Sequence, residues 1–294
     1  EILHVLPQFF RVDGQELIQD SLGMHGVRLE AQVHIITGAV SSAEDIISSC
    51  EKSGISVSDI VLEQLASADA VLSASERELG TGILDIGGGT SDFAIYKGGR
   101  IRHSKVVPIA GNHFTNDLAV GFGIPLKSAE EIKRKYGFVV EEKYLDLDLD
   151  HIEIPLGYDG GSRIIETYAG YEILQPRAQE LFEILRDEID QLRLRSFMPS
   201  GIVLTGGGAL LAGMKELAQE CFELPVRIGY PCNTHSSMAD GVVPDLIKSP
   251  IYSTGYGLLL YVMKDSDRSL LVDGQDVIME RIFKRMKSWI YDFL

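Results

Sequence analysis

Two runs of three glycines, each directly after a short apolar segment, constrain the fold of this chain more than any other feature. Residues 83–86 precede the glycines at 87–89, and residues 202–205 precede those at 206–208. Short apolar runs that end in glycine are typical of buried β-strands. Glycine lacks a Cβ and permits positive φ, so phosphate oxygens can closely approach the main-chain N–H groups of such a turn. One such turn is compatible with a simple tight turn, but the pair predicts two backbone loops that face one phosphate-bearing ligand.

The composition argues against several classes of function. The 294 residues, 45% hydrophobic and 24% charged, are enough for one large or two ordinary domains with a sizeable core. A net charge of −16 argues against a nucleic-acid partner, although backbone N–H groups can still hold a small anionic nucleotide. Cys50, Cys221 and Cys232 lack metal-ligand spacing, so we expect free structural thiols in a reducing cytosol. No stretch reaches the roughly 18 apolar residues of a spanning helix, and no signal peptide is evident. Because the chain starts with Glu1 in a strand-like segment, we expect it to begin inside a domain.

The hydrophobic patterns predict an α/β architecture. Period-two acidic residues at 144–156 favour a strand with a solvated face over a calcium site. Polar residues 264–277 predict a linker before a final helix. Strands are expected within 1–38 and at 83–86, 93–96, 101–109, 202–205 and 226–228, with a hairpin turn at Gly98-Gly99. Helices are expected from Ser41 and at 113–121, 128–136, 166–194, 211–222 and 255–262.

Polar residues beside the first glycine turn predict a nucleotide site. Asp85 stands at the end of the strand, where its carboxylate can hold Mg²⁺ through water, because Mg²⁺ gives up its hydration shell reluctantly. Thr90 and Ser91 add hydroxyl groups near the γ-phosphate. The simpler alternative is a plain β-hairpin turn, since the next strand begins at Asp92.

The order of these motifs resembles one ATP-binding superfamily. The segment 85–92 with its two following strands resembles the second phosphate loop of the superfamily of actins, heat-shock chaperone ATPases and sugar kinases, which have a ribonuclease H-like fold. The segment 204–209 resembles the adenosine loop, and 129–134 resembles the helix that contacts adenine and ribose in the chaperones. That match implies nucleoside contacts for Glu130 and Lys133; the alternative is an i,i+3 surface ion pair. The resemblance implies ATP and Mg²⁺ as cofactors, with these cofactor-binding residues: Asp85, Gly87, Gly88, Gly89, Thr90, Glu130, Lys133, Gly206, Gly207 and Gly208.

Further segments resemble the FtsA family of actin-like bacterial cell-division proteins. They are 26–34, 76–80, 110–112 and 250–254, and the resemblance covers essentially the whole chain. Two features depart from it: the N-terminal phosphate loop of the family has no counterpart, and Gln175 stands where an acidic residue often precedes the Pro-Arg pair. The resemblance implies a complete second domain and a partial first one. In the first domain, it implies that residues 1–38 are the end of subdomain 1C, and that 39–78 and 246–263 are parts of subdomain 1A. Residues 79–245 would be domain 2, with subdomain 2B inserted at about 109–178. Residues 264–277 would be a linker and 278–294 a terminal helix.

The last 17 residues have the pattern of a membrane-surface helix. Apolar residues lie on one stripe, and the segment from Val277 carries four basic and two acidic residues on a chain whose net charge is −16. Such helices bind anionic lipids through Lys and Arg while Trp lies at headgroup depth. The alternative is a helix that docks on its own domain. The residues expected at the membrane are Ile282, Phe283, Lys284, Arg285, Met286, Lys287, Trp289, Ile290 and Phe293.

The family resemblance implies a membrane tether for FtsZ filaments. It implies binding of the FtsZ C-terminal peptide through 2B, contact with later division proteins through 1C, and self-association into actin-like filaments. The expected location is the cytoplasmic face of the cell membrane at the division septum, with slow ATPase activity at most. The alternatives are a small-molecule kinase or a heat-shock-type chaperone of the same superfamily. No motif assigns a catalytic base for the kinase, and no substrate domain follows the ATPase as a chaperone requires.

Overall fold

A five-stranded mixed sheet forms the centre of the fold. The structure is a computed structural model that describes residues 2–18, 21–143, 150–155, 161–232 and 245–271. The order of the central strands is β10-β9-β4-β5-β6, in which β4, β9 and β10 are mutually parallel and β5 and β6 are antiparallel to their neighbours. These strands are β4 (Thr81–Ile86), β5 (Ser91–Lys97), β6 (Arg100–Val107), β9 (Ile202–Thr205) and β10 (Val226–Ile228).

Two smaller sheets accompany the central one. The first has the order β2-β1-β3 and is antiparallel, with β1 (Ile2–Val12), β2 (Gln15–Ile18) and β3 (Leu29–Thr37). The second is the hairpin of β7 (His151–Pro155) and β8 (Ser162–Glu166). β7 lies within the predicted strand 144–156, whereas residues 144–149 are outside the described ranges.

Helices cover the central sheet and form two hydrophobic cores. The larger core contains residues of the helix Tyr168–Gln191 at helical spacing, among them Leu174, Leu181 and Leu185, which are fully buried. The smaller core lies between the helix Glu63–Val71 and the strands β4, β5 and β9. The helices are α1 (Val40–Lys52), α2 (Glu63–Val71), α3 (Ala74–Leu79), α4 (Gly111–Phe122), α5 (Leu126–Tyr136), α6 (Tyr168–Gln191), α7 (Met214–Phe222) and α8 (Ser253–Leu271).

One predicted boundary is wrong. Residues 264–277 were expected to form a linker, but α8 continues from Ser253 to Leu271. The segment contains neither glycine nor proline before Gly274, and polar side chains do not by themselves end a helix. Residues 272–294, which include the predicted terminal helix, lie outside the described residues. The assignment to subdomains stays a prediction.

Candidate functional site: a glycine-lined cleft

The two glycine turns lie side by side at one edge of the central sheet. β4 and β9 pair in parallel with Asp85 opposite Thr205, so both strands end at the same edge, where ligands bind in open α/β sheets. Gly206 has φ +82°, and a Cβ on it would overlap the Asp85 carboxylate and lie 2.6 Å from Ile86 O. A Cβ on Gly208 would lie 2.9 Å from Ile86 Cβ. The turns therefore pack directly on each other. That both face one phosphate-bearing ligand stays a prediction.

The first turn is anchored to the N-terminus of α4. Gly87 N–H donates to Thr90 O at 3.0 Å, and Gly87 O accepts from Gly111 N–H at 3.0 Å. Asn112 N–H donates to Gly88 O at 2.7 Å. These bonds fix the shape of the turn and use the carbonyl oxygens of three of its residues, Gly87, Gly88 and Thr90.

Open space remains on one side of both turns. A Cβ on Gly89 would meet no atom within 4 Å, and a Cβ on Gly207 would meet only Ile251 Cγ1, at 3.9 Å. Gly206 is buried and Gly208 is half-buried, whereas Gly89 and Gly207 are exposed. A bare backbone beside open space fits a phosphate chain held by main-chain N–H groups.

Asp85 is a buried carboxylate next to that space. It is 2% exposed, and Thr254 Oγ1 donates to its Oδ2 at 2.9 Å. The pKa of Asp85 is raised to about 6, mainly because the side chain is buried. The charge of Asp92 also raises this pKa, whereas hydrogen bonds from Thr254 and Ser67 lower it. A nearby cation would stabilise the charged form. Among the described residues no three Asp, Glu, His or Cys side chains are arranged as direct metal ligands, so a cation here would be held largely through water.

Sequence reasoning missed two polar residues of α2 that interact with Asp85 or Asp92. Glu63 is the first residue of this helix; burial, followed by the charges of Asp85 and Asp92, raises its pKa to about 7. Gln64 Nε2 donates to Asp92 Oδ1 at 2.8 Å. Gln64 is 1% exposed, and its Oε1 lacks a hydrogen-bond partner among the described residues. The available signal was the polar pair Glu63-Gln64 inside the apolar stretch 60–71.

Two hydroxyl groups at the start of α8 connect this helix to the sheet. Thr205 Oγ1 donates to Gly229 O at 3.1 Å and lies 2.6 Å from Ser253 Oγ, so Ser253 is the donor of the shorter bond. Thr254, the next residue, bonds Asp85 and also lies 3.4 Å from Glu63 Oε1. α8 therefore begins inside the site.

Thr90 and Ser91 differ in their surroundings. Thr90 is exposed in the first turn and hydrogen-bonds Asp92. Burial raises the pKa of Asp92, and the bond from Thr90 only partly offsets this rise. Ser91 is fully buried and donates to Ile109 O at 2.6 Å. The expectation of a Ser91 hydroxyl near the γ-phosphate is therefore wrong, because strand alternation turns this side chain into the core.

Glu130 and Lys133 form an ion pair behind the first turn. Lys133 Nζ lies 2.6 Å from Glu130 Oε2 and donates to Gly111 O at 2.9 Å, while Gly111 N–H binds the turn at Gly87. Burial opposes ionisation of Glu130, but bonds from Lys133, Thr115 and Arg134 outweigh it and bring its pKa to about 2. Glu130 and Lys133 therefore form the i,i+3 ion pair that was the alternative interpretation. Their contact with a nucleoside stays a prediction.

The predicted membrane residues at 282–293 lie outside the described residues. In the part of the chain that the structure describes, none of the helices combines the length and the apolar character needed to cross a membrane.

Two family models match this chain. One, described as "Cell division protein FtsA", matches residues 82–257, and the other, "SHS2 domain inserted in FTSA", matches residues 1–37. The chain is 41% identical to the cell division protein FtsA of Pseudomonas aeruginosa over an alignment of 295 positions, which covers 98% of this chain and 69% of that protein. It is 37% identical to FtsA of Escherichia coli K12, over 98% of this chain and 67% of that protein.

Solved structures of actin-like proteins share the fold. MreB5 of Spiroplasma citri, in its complex with ADP, has a TM-score of 0.60 at 20% identity over 79% of this chain and 68% of the other. The PilM–PilN complex of type IV pilus biogenesis has a TM-score of 0.61 at 18% identity over 87% of this chain and 66% of the other. These likenesses confirm the predicted α/β, actin-like fold.

Proposed function

Because the chain belongs to the FtsA family of cell division proteins, we propose that it tethers FtsZ filaments to the cytoplasmic membrane at the division septum and helps to recruit later division proteins. The observation that carries this proposal is the match to FtsA relatives over 98% of the chain. The glycine-lined cleft adds a site through which such a tether can be regulated.

The cleft is proposed to bind ATP with Mg²⁺. The open backbone at Gly89 and Gly207 would hold phosphate oxygens, and Asp85 would orient the water shell of the cation. When bound, the cation neutralises phosphate charge. Glu130 and Lys133 would border the nucleoside. Nucleotide occupancy orders the cleft and thereby shifts the populations of its conformations, with slow hydrolysis at most. The ADP complex of MreB5, a protein of the same fold, supports a nucleotide as the ligand class.

The partner surfaces are proposed from the family. The FtsZ C-terminal peptide would bind 2B at about 109–178, and later division proteins would bind the 1C region at 1–38, where the SHS2 model matches residues 1–37. Self-association into actin-like filaments would multiply weak membrane contacts of single subunits.

The membrane contact is proposed for residues 278–294. Their apolar stripe and excess of basic residues favour a helix that lies in the interface of an anionic bilayer. Ile282, Met286 and Trp289 would enter the acyl boundary, and Lys284 and Lys287 would face lipid phosphates.

Co-sedimentation with vesicles tests the tether. The chain should carry purified FtsZ to vesicles that contain anionic lipid, and Trp289→Glu should abolish both its own binding and that of FtsZ, because a carboxylate would enter the apolar interface. Ser288→Glu is the matched control: it adds the same charge one residue away, off the apolar stripe, and should retain most of the binding. If Trp289→Glu bound the vesicles as well as the Ser288→Glu control, the proposed membrane helix would be refuted. FtsZ left in the supernatant, with the chain on the vesicles, would refute the tether.

A further inference from the structure

The hydroxyl of Thr254 lies between two carboxylates. Its Oγ1 is 2.9 Å from Asp85 Oδ2 and 3.4 Å from Glu63 Oε1. A threonine hydroxyl carries a single proton, so it makes one strong donor bond at a time. The shorter distance assigns that proton to Asp85 in this structure.

The backbone around Thr254 leaves the hydroxyl little freedom except rotation. The preceding residue, Ser253, is fully buried and bonded to Thr205 at 2.6 Å. One turn further on, Gly257 packs so closely on the backbone of Ala66 that a Cβ would overlap it. α8 is thus held against both β9 and α2 at the point where Thr254 projects.

The alternative acceptor belongs to a different element. Asp85 ends β4, whereas Glu63 begins α2. Asp92, which pairs with Asp85 across β4 and β5, adds a third carboxylate, and its Oδ1 is already occupied by Gln64. The hydroxyl of Thr254 therefore connects the start of α8 to β4 in this structure, with Glu63 on α2 as the more distant acceptor.

We infer that Thr254 is a positioning residue, which holds the Asp85 carboxylate toward a hydrated divalent cation that accompanies a nucleoside triphosphate. The inference rests on the proposed nucleotide function. Asp85 keeps the bond from Thr254 while it accepts hydrogen bonds from the water shell of the cation, because a carboxylate has several acceptor sites. The bond is stronger to the ionised carboxylate, which a nearby cation favours, so it contributes to affinity when the cation is present.

Thr254→Val tests this role, because valine keeps the shape and removes the hydroxyl. The full chain is titrated with a fluorescent ATP analogue, once with excess Mg²⁺ and once with EDTA. The variant should lose roughly ten-fold in affinity with Mg²⁺, as expected for one hydrogen bond to a charged group, and should match the wild type within about two-fold in EDTA. Thr254→Ser should restore the Mg²⁺-dependent affinity, which a purely steric role of threonine would not predict.

Thr167→Val is the matched control. Thr167 is 1% exposed and its Oγ1 has no hydrogen-bond partner among the described residues, so its loss should leave both affinities unchanged. Thermal unfolding without nucleotide checks that each variant folds; should Thr254→Val not fold, Thr254→Ala carries the same prediction.

Two outcomes overturn the inference while leaving the proposed function intact. One is unchanged affinity of Thr254→Val with Mg²⁺; the other is an equal loss with Mg²⁺ and with EDTA. A wild-type chain that binds no nucleotide under either condition would instead overturn the proposed nucleotide function and this inference together.

Discussion

Glu63 is the side chain whose surroundings most clearly oppose its ordinary charge. Burial and the carboxylates of Asp85 and Asp92 raise its pKa from 4.5 to about 7. The folded protein therefore binds more protons than the unfolded chain between these two values. Stability contributed by protonated Glu63 is present at low pH and is lost as the pH rises toward 7. Asp85, with its pKa raised to about 6, acts in the same direction.

Glu63→Gln is therefore expected to stabilise the free protein at pH 8. The amide removes the buried charge, and we expect a gain of about 1 kcal/mol, reduced from the full value of the pKa shift because the side chain is partly solvated. At pH 5, where Glu63 is mostly protonated, the gain should largely disappear. Urea unfolding at both pH values measures this, with the exposed Glu51→Gln as control. A variant that is no more stable than the wild type at pH 8 would contradict the assigned environment.

The site residues differ in how far the sequence could predict them. Asp85 and the glycines stand in contiguous segments, so their neighbours in the chain already specify a strand followed by a turn. Glu63 and Thr254 are separated from Asp85 by 22 and 169 residues, and only the packing of α2 and α8 on the sheet brings them to it. Ser91 was placed wrongly because a strand, rather than the turn, sets the direction of its side chain.

Glu76 connects the short helix α3 to strand β10. Glu76 accepts from Ser73 N–H at 2.8 Å in a capping box, and Arg227 Nε and Nη2 on β10 donate to it at 2.7 and 2.8 Å. Burial opposes its ionisation, but these bonds dominate and lower its pKa. The helix has six residues, too few to be stable alone, so it depends on tertiary contacts such as this pair with Arg227 and the ion pair of Arg77 with Asp69.

Glu76→Ala is expected to cost about 1–3 kcal/mol of unfolding free energy, because it removes the cap and leaves the Arg227 guanidinium without its carboxylate. A double-mutant cycle with Arg227→Ala should show coupling, since the two side chains form a bidentate pair. Glu78→Ala, at an exposed position on the same helix, should change stability by less than about 0.5 kcal/mol. Additive effects of the Glu76 and Arg227 substitutions would contradict this attachment.

The sequence predicted strands and helices best where one clear hydrophobic pattern identifies the type of element. β4 is buried along its whole length and was evident from its apolar run. The strands expected within 1–38 include β1, which is continuous through Pro7, with a register shift between Pro7 and Phe9 that accommodates the missing donor. The end of α8 was placed too early because polarity was interpreted as a break in the helix.

The molecule as a whole combines a net charge of −16 with a cleft that we propose to bind an anionic nucleotide. This net charge repels nucleotides at long range, so the proposed binding would rely on local backbone donors and on a cation near Asp85. α2 and α8 pack on each other and meet the sheet at the same edge as the glycine turns. A ligand bound in the cleft as proposed would therefore lie near the start of both helices. The open backbone of the glycine turns is the feature on which this account depends.

Binding of Mg·ATP to the full chain, measured by isothermal titration calorimetry for Gly89→Val and Gly170→Val, tests that feature most directly. A Cβ would meet no atom within 4 Å at either position, so both variants should fold, as unfolding midpoints would verify. Gly89→Val places a side chain in the open space beside the turns and should weaken binding at least roughly ten-fold, whereas Gly170→Val on α6 should bind like the wild type. Wild-type affinity in a folded Gly89→Val variant would contradict the account.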